Sequence, residues 1–263
     1  MSVMEDYRAE LAASTERLLE TAAGLDDEDV RAPSLLPGWT IGHVLAHVAR
    51  NGDSYVNLLT WARTGVRTPQ YPTLDAREAA IAAGAVRPVR ELVDDLRMSA
   101  ERLERAIEST PPSAWRATVS AMRPPPHPAW YVPMRRLREV EVHHSDLGTG
   151  YGWRDWPDAY VRWDLYDSML SWPYGRGPVS EIVAREPAPP GSPVGSSRVR
   201  VWRGLGDGPS VEGAPRELLA WLTGRSAGQG LSIRPPEPPP WLALPAPPGL
   251  PAEPPPSWPP ADD

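Results

Sequence analysis

The stretch from Arg135 to Tyr151 reads RRLREVEVHHSDLGTGY. It holds two glutamates, two adjacent histidines and an aspartate, in a chain with only 5 histidines and no cysteine. Successive residues of an α-helix turn by about 100°, so Arg136, Glu139, His143 and Asp146 fall within an arc about 80° wide. Met134, Leu137, Val140 and Leu147 form the adjoining apolar arc. The spacing therefore predicts a helix whose carboxylate and imidazole border its buried face, as a site inside a helical bundle requires. Pro133 suits the first turn of this helix, and Gly148 or Gly150 ends it. Glu141 and His144 point to another face, beside the core stripe.

Glu139 and His143, four residues apart, are spaced for joint metal ligation. Alone, such a pair more often forms a salt bridge on a solvated face. A second helix adds weight. Thr40 is its expected N-cap, after the Pro37-Gly38 turn, and IGHVLAHVARNGDSYVNLLTWAR follows. There His47 lies at the edge of an apolar face made by Val44, Val48, Tyr55, Leu58 and Leu59, with His43 one turn earlier. A histidine so placed is commonly a satisfied core residue. Facing helices of a bundle also build metal sites from inward His and Glu side chains. Two imidazoles and one carboxylate make a three-ligand site for Zn²⁺ with a fourth position open, the pattern of a catalytic centre. Asp146 is placed either to orient His143 or simply to end the helix.

Around these helices the chain reads as α+β. Amphipathic helices are expected from about Met4 to Gly24, from Val89 to Ile107, and over DAYVRWDLYDSMLSW after Pro157. Beyond about Pro178, SSRVRVWRG alternates as a strand does, PSVEGAP reads as a turn-containing connection, and PRELLAWLTGRS as a compact helix closed by Gly224. From Pro235 onward 14 of 29 residues are proline, too many for helix or sheet interiors. The expected domains are an antiparallel helical bundle over 1–175, a small α/β domain over 176–234, and an extended proline-rich tail over 235–263, partly packed through Trp241 and Trp258.

Composition narrows the function classes. With no cysteine there is no disulfide and no protein thiolate, whether as nucleophile or as ligand. Net charge is −7, and the 27 basic residues, all arginine, are scattered among acids, which argues against nucleic acid. No apolar run approaches the ~18 residues of a membrane span, and the N-terminus has no secretory pattern, so a cytoplasmic protein is expected. The absence of lysine and phenylalanine suggests a G+C-rich bacterial source. The segment RPPPHP around His127 is read as a stiff loop that could rim a pocket.

The stretches LPGWTIGHVLAHVARNGD, RRLREVEVHHSDLGTGY and LLAWLTGR resemble the mycothiol-dependent maleylpyruvate isomerase family, within the DinB/YfiT-like metal-binding superfamily. The likeness covers the helical region nearly to Trp172 and returns in the C-terminal part. It implies a four-helix bundle that binds zinc or another divalent metal through His47, Glu139 and His143. His43 and His144 are not ligand positions in that pattern. The segment YPTLDAREAAIAAG matches the region where the family carries a pocket arginine, so the resemblance puts Arg77 there. A surface arginine in a helix salt bridge is the blander reading of Arg77.

The resemblance further implies mycothiol, a low-molecular-weight thiol of actinobacteria, as the sulfur that this chain lacks. Metal coordination deprotonates a thiol whose ordinary pKa is about 8.5. The expected reaction is cis–trans isomerisation of an unsaturated keto acid such as maleylpyruvate, through reversible thiolate addition, with Arg77 holding a carboxylate. Two alternatives stand beside it. One is a mycothiol S-transferase that consumes the same thiolate; the other is a non-enzymatic metal-binding regulatory module.

Overall fold

The computed structural model describes residues 2–187, 197–239 and 246–260. The described residues form two compact units. One holds those up to Gly152 together with those from Gly249 onward; the other runs from Trp153 to Pro248.

The first unit is a four-helix bundle of α1 (Val3–Ala23), α2 (Ile41–Thr64), α4 (Val89–Glu108) and α5 (Val132–Asp146), with the short α3 (Leu74–Ala85) lying against α2. Each bundle helix starts and stops where local chemistry dictates. Ser2 and Glu5 form a capping box on α1, Thr40 and His43 one on α2, and Gly65 closes α2 in the left-handed region at φ 71°. Tyr7, Leu11 and Leu18 of α1, Val44, Leu45, Val48 and Leu58 of α2, Leu92, Leu96 and Leu103 of α4, and Met134, Leu137 and Val140 of α5 are all buried and make up the core. Each such aliphatic side chain contributes roughly 1.5–3 kcal/mol on leaving water.

α3 was not expected from the sequence. Its twelve residues include Ala76, Ala79, Ala80, Ala82, Ala83 and Ala85, and only Ile81, Gly84 and Ala85 are buried. There is no apolar stripe for periodicity to detect. Alanine's helix propensity and the Thr73 N-cap, whose hydroxyl accepts from Ala76 N at 3.0 Å, carry it instead.

The half of the opening motif that faces away from the site rivets α5 to α1. Glu141 is buried and accepts from Arg17 at 3.0 Å and from the Tyr151 hydroxyl at 2.5 Å. His144 stacks on Tyr151 with ring centroids 3.8 Å apart and shares a hydrogen bond of 2.8 Å with Thr21. His127 is buried rather than on a rim. It lies in a two-residue strand, β2 (His127–Pro128), paired antiparallel with β1 (Thr118–Val119).

The second unit joins α6 (Asp158–Leu170) and α7 (Pro215–Leu222) to a three-stranded sheet of β3 (Glu181–Pro187), β4 (Ser197–Arg203) and β5 (Ser210–Gly213). The sheet order is β4-β3-β5, with β3 antiparallel to β4 and parallel to β5. PSVEGAP thus contains a strand, β5, where a connection was expected. The unit begins at Trp153 rather than near 176, because α6 is part of its core. Leu165, Met169 and Trp172 pack in one cluster with Ile182, Val211, Leu218 and Trp221.

The proline-rich segment does not stand apart as one tail. From Gly249 onward its described residues belong to the bundle unit: Trp258 meets Trp130 edge-on at 5.9 Å, and Trp130 Nε1 donates to Pro251 O at 2.9 Å. Trp241 lies outside the described residues. Among those residues, no helix is long and apolar enough to cross a membrane.

Candidate metal centre

α2 and α5 are adjacent in the bundle, and the sequence puts one imidazole of α2 opposite a carboxylate and an imidazole of α5. His47 Nε2 lies 3.1 Å from Glu139 Oε2 and 3.1 Å from His143 Nε2, and His143 Nε2 lies 3.5 Å from the same Glu139 oxygen. Both imidazoles are buried, while the Glu139 side chain keeps about a fifth of its surface. Among the described residues, these three form the group whose ligand atoms converge closely enough to hold one ion.

Those distances can be tested against metal chemistry. Ligands about 2.0–2.1 Å from a tetrahedral zinc ion sit about 3.3 Å from one another. The observed 3.1, 3.1 and 3.5 Å bracket that value. Three lone-pair atoms facing one another at such range repel unless protons or a cation lie between them. The residues present therefore fit a divalent cation.

The outer contacts orient the donors. Asp146 Oδ2 lies 2.9 Å from His143 Nδ1, so that ring presents Nε2 to the centre. Burial depresses the His143 pKa, but Asp146 and Glu139 outweigh it and the net shift is upward. For His47 burial dominates, with the charges of His143 and Arg77 adding to it and Glu139 opposing, and its pKa falls to about 4. Burial also raises Glu139, yet bonds to His143 and His47 hold it well below the ordinary carboxylate value. A neutral His47 and an ionised Glu139 are the forms that ligate a metal.

Arg77 reaches the centre from α3, its Nη2 3.2 Å from His47 Nδ1. Two glycines allow this approach. A Cβ on Gly84 would lie 2.7 Å from the Ala46 Cβ, and one on Gly42 would lie 2.5 Å from the Ala85 carbonyl oxygen. α3 can thus rest directly on α2, one face away from His47.

His43 stays out of the centre: its Nδ1 accepts from Thr40 N at 3.3 Å in the capping box. That box holds Trp39, whose ring meets His47 edge-on at 5.6 Å and walls one side of the centre. Trp39 was not singled out by sequence reasoning, although its place beside the Thr40 cap was a usable signal. The loop ahead of it is tied to the ligand helix by Leu35 N donating to Asp146 O at 2.9 Å.

Comparison with known proteins places the fold. Two solved structures are similar over 90% of this chain and 97% of theirs, each at 28% identity. One is a histidine-to-alanine variant of the mycothiol-dependent maleylpyruvate isomerase, with a TM-score of 0.77, and the other is that isomerase itself, at 0.75. No curated protein matches. The family model described as the mycothiol maleylpyruvate isomerase N-terminal domain matches residues 11–148, more than half of the 263 residues, from α1 through the end of the ligand helix. The chain therefore belongs to the mycothiol maleylpyruvate isomerase N-terminal domain family.

Proposed function

We propose that this chain is a metal- and thiol-dependent cis–trans isomerase of the maleylpyruvate type, with His47, Glu139 and His143 as the metal ligands and mycothiol as the thiol. The observation that carries this reading is the convergence of two imidazole nitrogens and one carboxylate oxygen at 3.1–3.5 Å. When bound there, a divalent cation supplies the positive charge that ionises a thiol near neutral pH. The chain has no cysteine, so the sulfur comes from a small molecule.

Isomerisation requires the order of the substrate's cis double bond to fall to one, so that the bond can rotate, and then to be restored. A nucleophile that adds and leaves meets that requirement with no net change in atoms. Negative charge builds on the keto oxygen between addition and departure.

Arg77 is the residue placed to meet negative charge. A guanidinium only donates, so His47 Nδ1 accepts from Arg77 and the ring's proton sits on Nε2. To hold a cation through Nε2, His47 would carry its proton on Nδ1 instead. Arg77 would then leave Nδ1, and its guanidinium would be free for a substrate carboxylate or the developing enolate. Trp39 limits water on the His47 side.

The test is product analysis with the metal-loaded protein, maleylpyruvate and mycothiol. Formation of fumarylpyruvate with the thiol recovered supports the reading. Stoichiometric consumption of thiol into an adduct would make the protein an S-transferase, and thiol-independent behaviour with no turnover would return it to a binding module.

A further inference from the structure

Most buried or half-buried arginines of the bundle unit have an evident partner. Arg17 pairs with Glu10 and Glu141, Arg50 and Arg87 share Asp95, and Arg136 donates to Val48 O and Asn51 Oδ1. Arg135 does not fit this pattern. Its Nε and Nη1 are buried and have no hydrogen-bond partner, and no carboxylate pairs with it among the described residues. Glu139, the nearest acid along the helix, turns toward His47 and His143 instead. Leaving a cation desolvated and unpaired costs several kcal/mol in a folded protein.

Phenols relieve only part of that cost: Tyr55 shares a hydrogen bond with the guanidinium, and with Tyr131 it favours the charged form, but neither supplies a carboxylate. The Arg135 charge is felt by Tyr55 and Tyr131, and Arg138 brings a second positive charge to bear on it. It also bears on His127, whose pKa burial first and Arg135 second depress to about 3, so that imidazole is neutral. His127 Nδ1 donates to Pro128 O at 2.9 Å, which leaves Nε2 as a buried lone pair without a partner. The Tyr71 hydroxyl is also buried, beside Ser54.

These groups belong to the same side of the bundle as the candidate centre. Tyr55 feels both Arg135 and Glu139, and Tyr71 feels Glu139, Arg77 and Tyr55. The Arg77 guanidinium lies 5.8 Å from the Tyr71 ring centroid. Arg135 is four residues before Glu139, about 6 Å along the helix axis. One guanidinium thus approaches the centre from α3 and a second lies one turn below it on α5. Around the second, Arg135 Nε and Nη1 and His127 Nε2 lack protein partners.

We propose that Arg135 is a second anion-binding residue of this pocket, holding the acid group of the keto acid that lies farther from Arg77. The inference rests on the reading above that the pocket takes an unsaturated keto acid. It adds that recognition by this chain depends on the acid group farther from Arg77, and that Arg135 sets the preference for a diacid over a monoacid.

The test uses two saturated compounds that cannot react with thiol: succinylpyruvate, with acid groups at both ends, and succinylacetone, which lacks the terminal one. Binding to the metal-loaded protein is measured by calorimetry. The wild type is expected to hold the diacid roughly 10- to 100-fold more tightly, the range of a charge-assisted hydrogen-bonded pair. Arg135→Met should erase that difference while leaving succinylacetone binding unchanged, and Arg135→Lys should restore part of it. Arg135→Met should also melt at or above the wild-type temperature, because it removes a buried charge that no carboxylate neutralises. Equal wild-type affinities, a diacid preference that survives in Arg135→Met, or a marked fall in its melting temperature would each overturn the role of Arg135 and leave the keto-acid reading standing. A wild type that binds neither compound would overturn the keto-acid reading and the inference drawn on it.

Discussion

Replacing Asp146 by asparagine probes the proposed centre without touching a ligand. Asp146 Oδ2 accepts from His143 Nδ1 at 2.9 Å inside the protein, and it is one of the two groups that raise the imidazole pKa against burial. Asparagine keeps an acceptor oxygen at nearly the same place, so the ring and its tautomer stay fixed; only the charge is lost. A hydrogen bond to a charged partner is worth about 1.5–3 kcal/mol and a neutral one about 0.5–1.5 kcal/mol, so the change costs about 1–1.5 kcal/mol. That difference weakens metal affinity roughly tenfold. Asp146→Ala also frees the ring, and the loss should approach 100-fold. Competition with a chromophoric chelator for zinc measures both. Tyr151→Phe is the control: it removes a hydrogen bond to Glu141 on the opposite face of the same helix and should leave metal affinity unchanged. An Asp146→Asn protein within twofold of wild type would refute the idea that this pair tunes a metal ligand.

The remaining predictions follow from the same contacts. Arg77→Met should raise KM for the keto acid and tighten metal binding, because it removes the donor that competes for the His47 proton arrangement; equal KM and equal affinity would contradict the role given to Arg77. Stripping the metal with a chelator should lower Tm, since a ligand at 100 times its Kd stabilises the folded state by about 2.7 kcal/mol; a Tm indifferent to zinc across that range would count against the site. The buried His127 has its folded pKa depressed to about 3, below the ordinary 6.5. Its contribution to stability is present above pH 6.5 and is lost as pH falls from 6.5 toward 3, at up to about 1.4 kcal/mol per pH unit. His127→Asn should flatten denaturation midpoints between pH 7 and 5, and an unchanged slope would mean that other groups carry the acid sensitivity.

How much of this was legible beforehand differs residue by residue. His47, Glu139 and His143 could be placed on inward edges of two helices because each helix advertises a strong apolar stripe, and 3.6-residue periodicity is a local property. Asp146 was legible as a candidate for the same reason. Glu141 and His144 could be assigned to another face, but not to their partners. Tyr151 lies past Gly148 and Gly150, where the chain direction is set by left-handed turns at φ 70° and 106° and not by any repeat. The β5 strand was missed because four residues, Ser210–Gly213, are too few to show alternation, and its pairing with β3 is not local.

Arg77 is the instructive case, since its place in the centre depends on a helix with no stripe. α3 reaches His47 through the absence of atoms: Gly42 and Gly84 leave the space in which the two helix backbones approach. Such a contact leaves no periodic trace, because a glycine that permits close packing looks in sequence like one that ends a turn. Gly84→Ala makes the point measurable. The added methyl gains about 1 kcal/mol of helix propensity, yet its carbon would lie 2.7 Å from the Ala46 Cβ, an overlap that costs typically 1–3 kcal/mol to relieve. The relief available is a shift of α3 away from α2, which carries Arg77 away from His47. Stability should therefore change little or fall modestly, while KM for the keto acid rises as it does in Arg77→Met. If Gly84→Ala left KM unaltered, the close packing of α3 would not be what delivers Arg77 to its site.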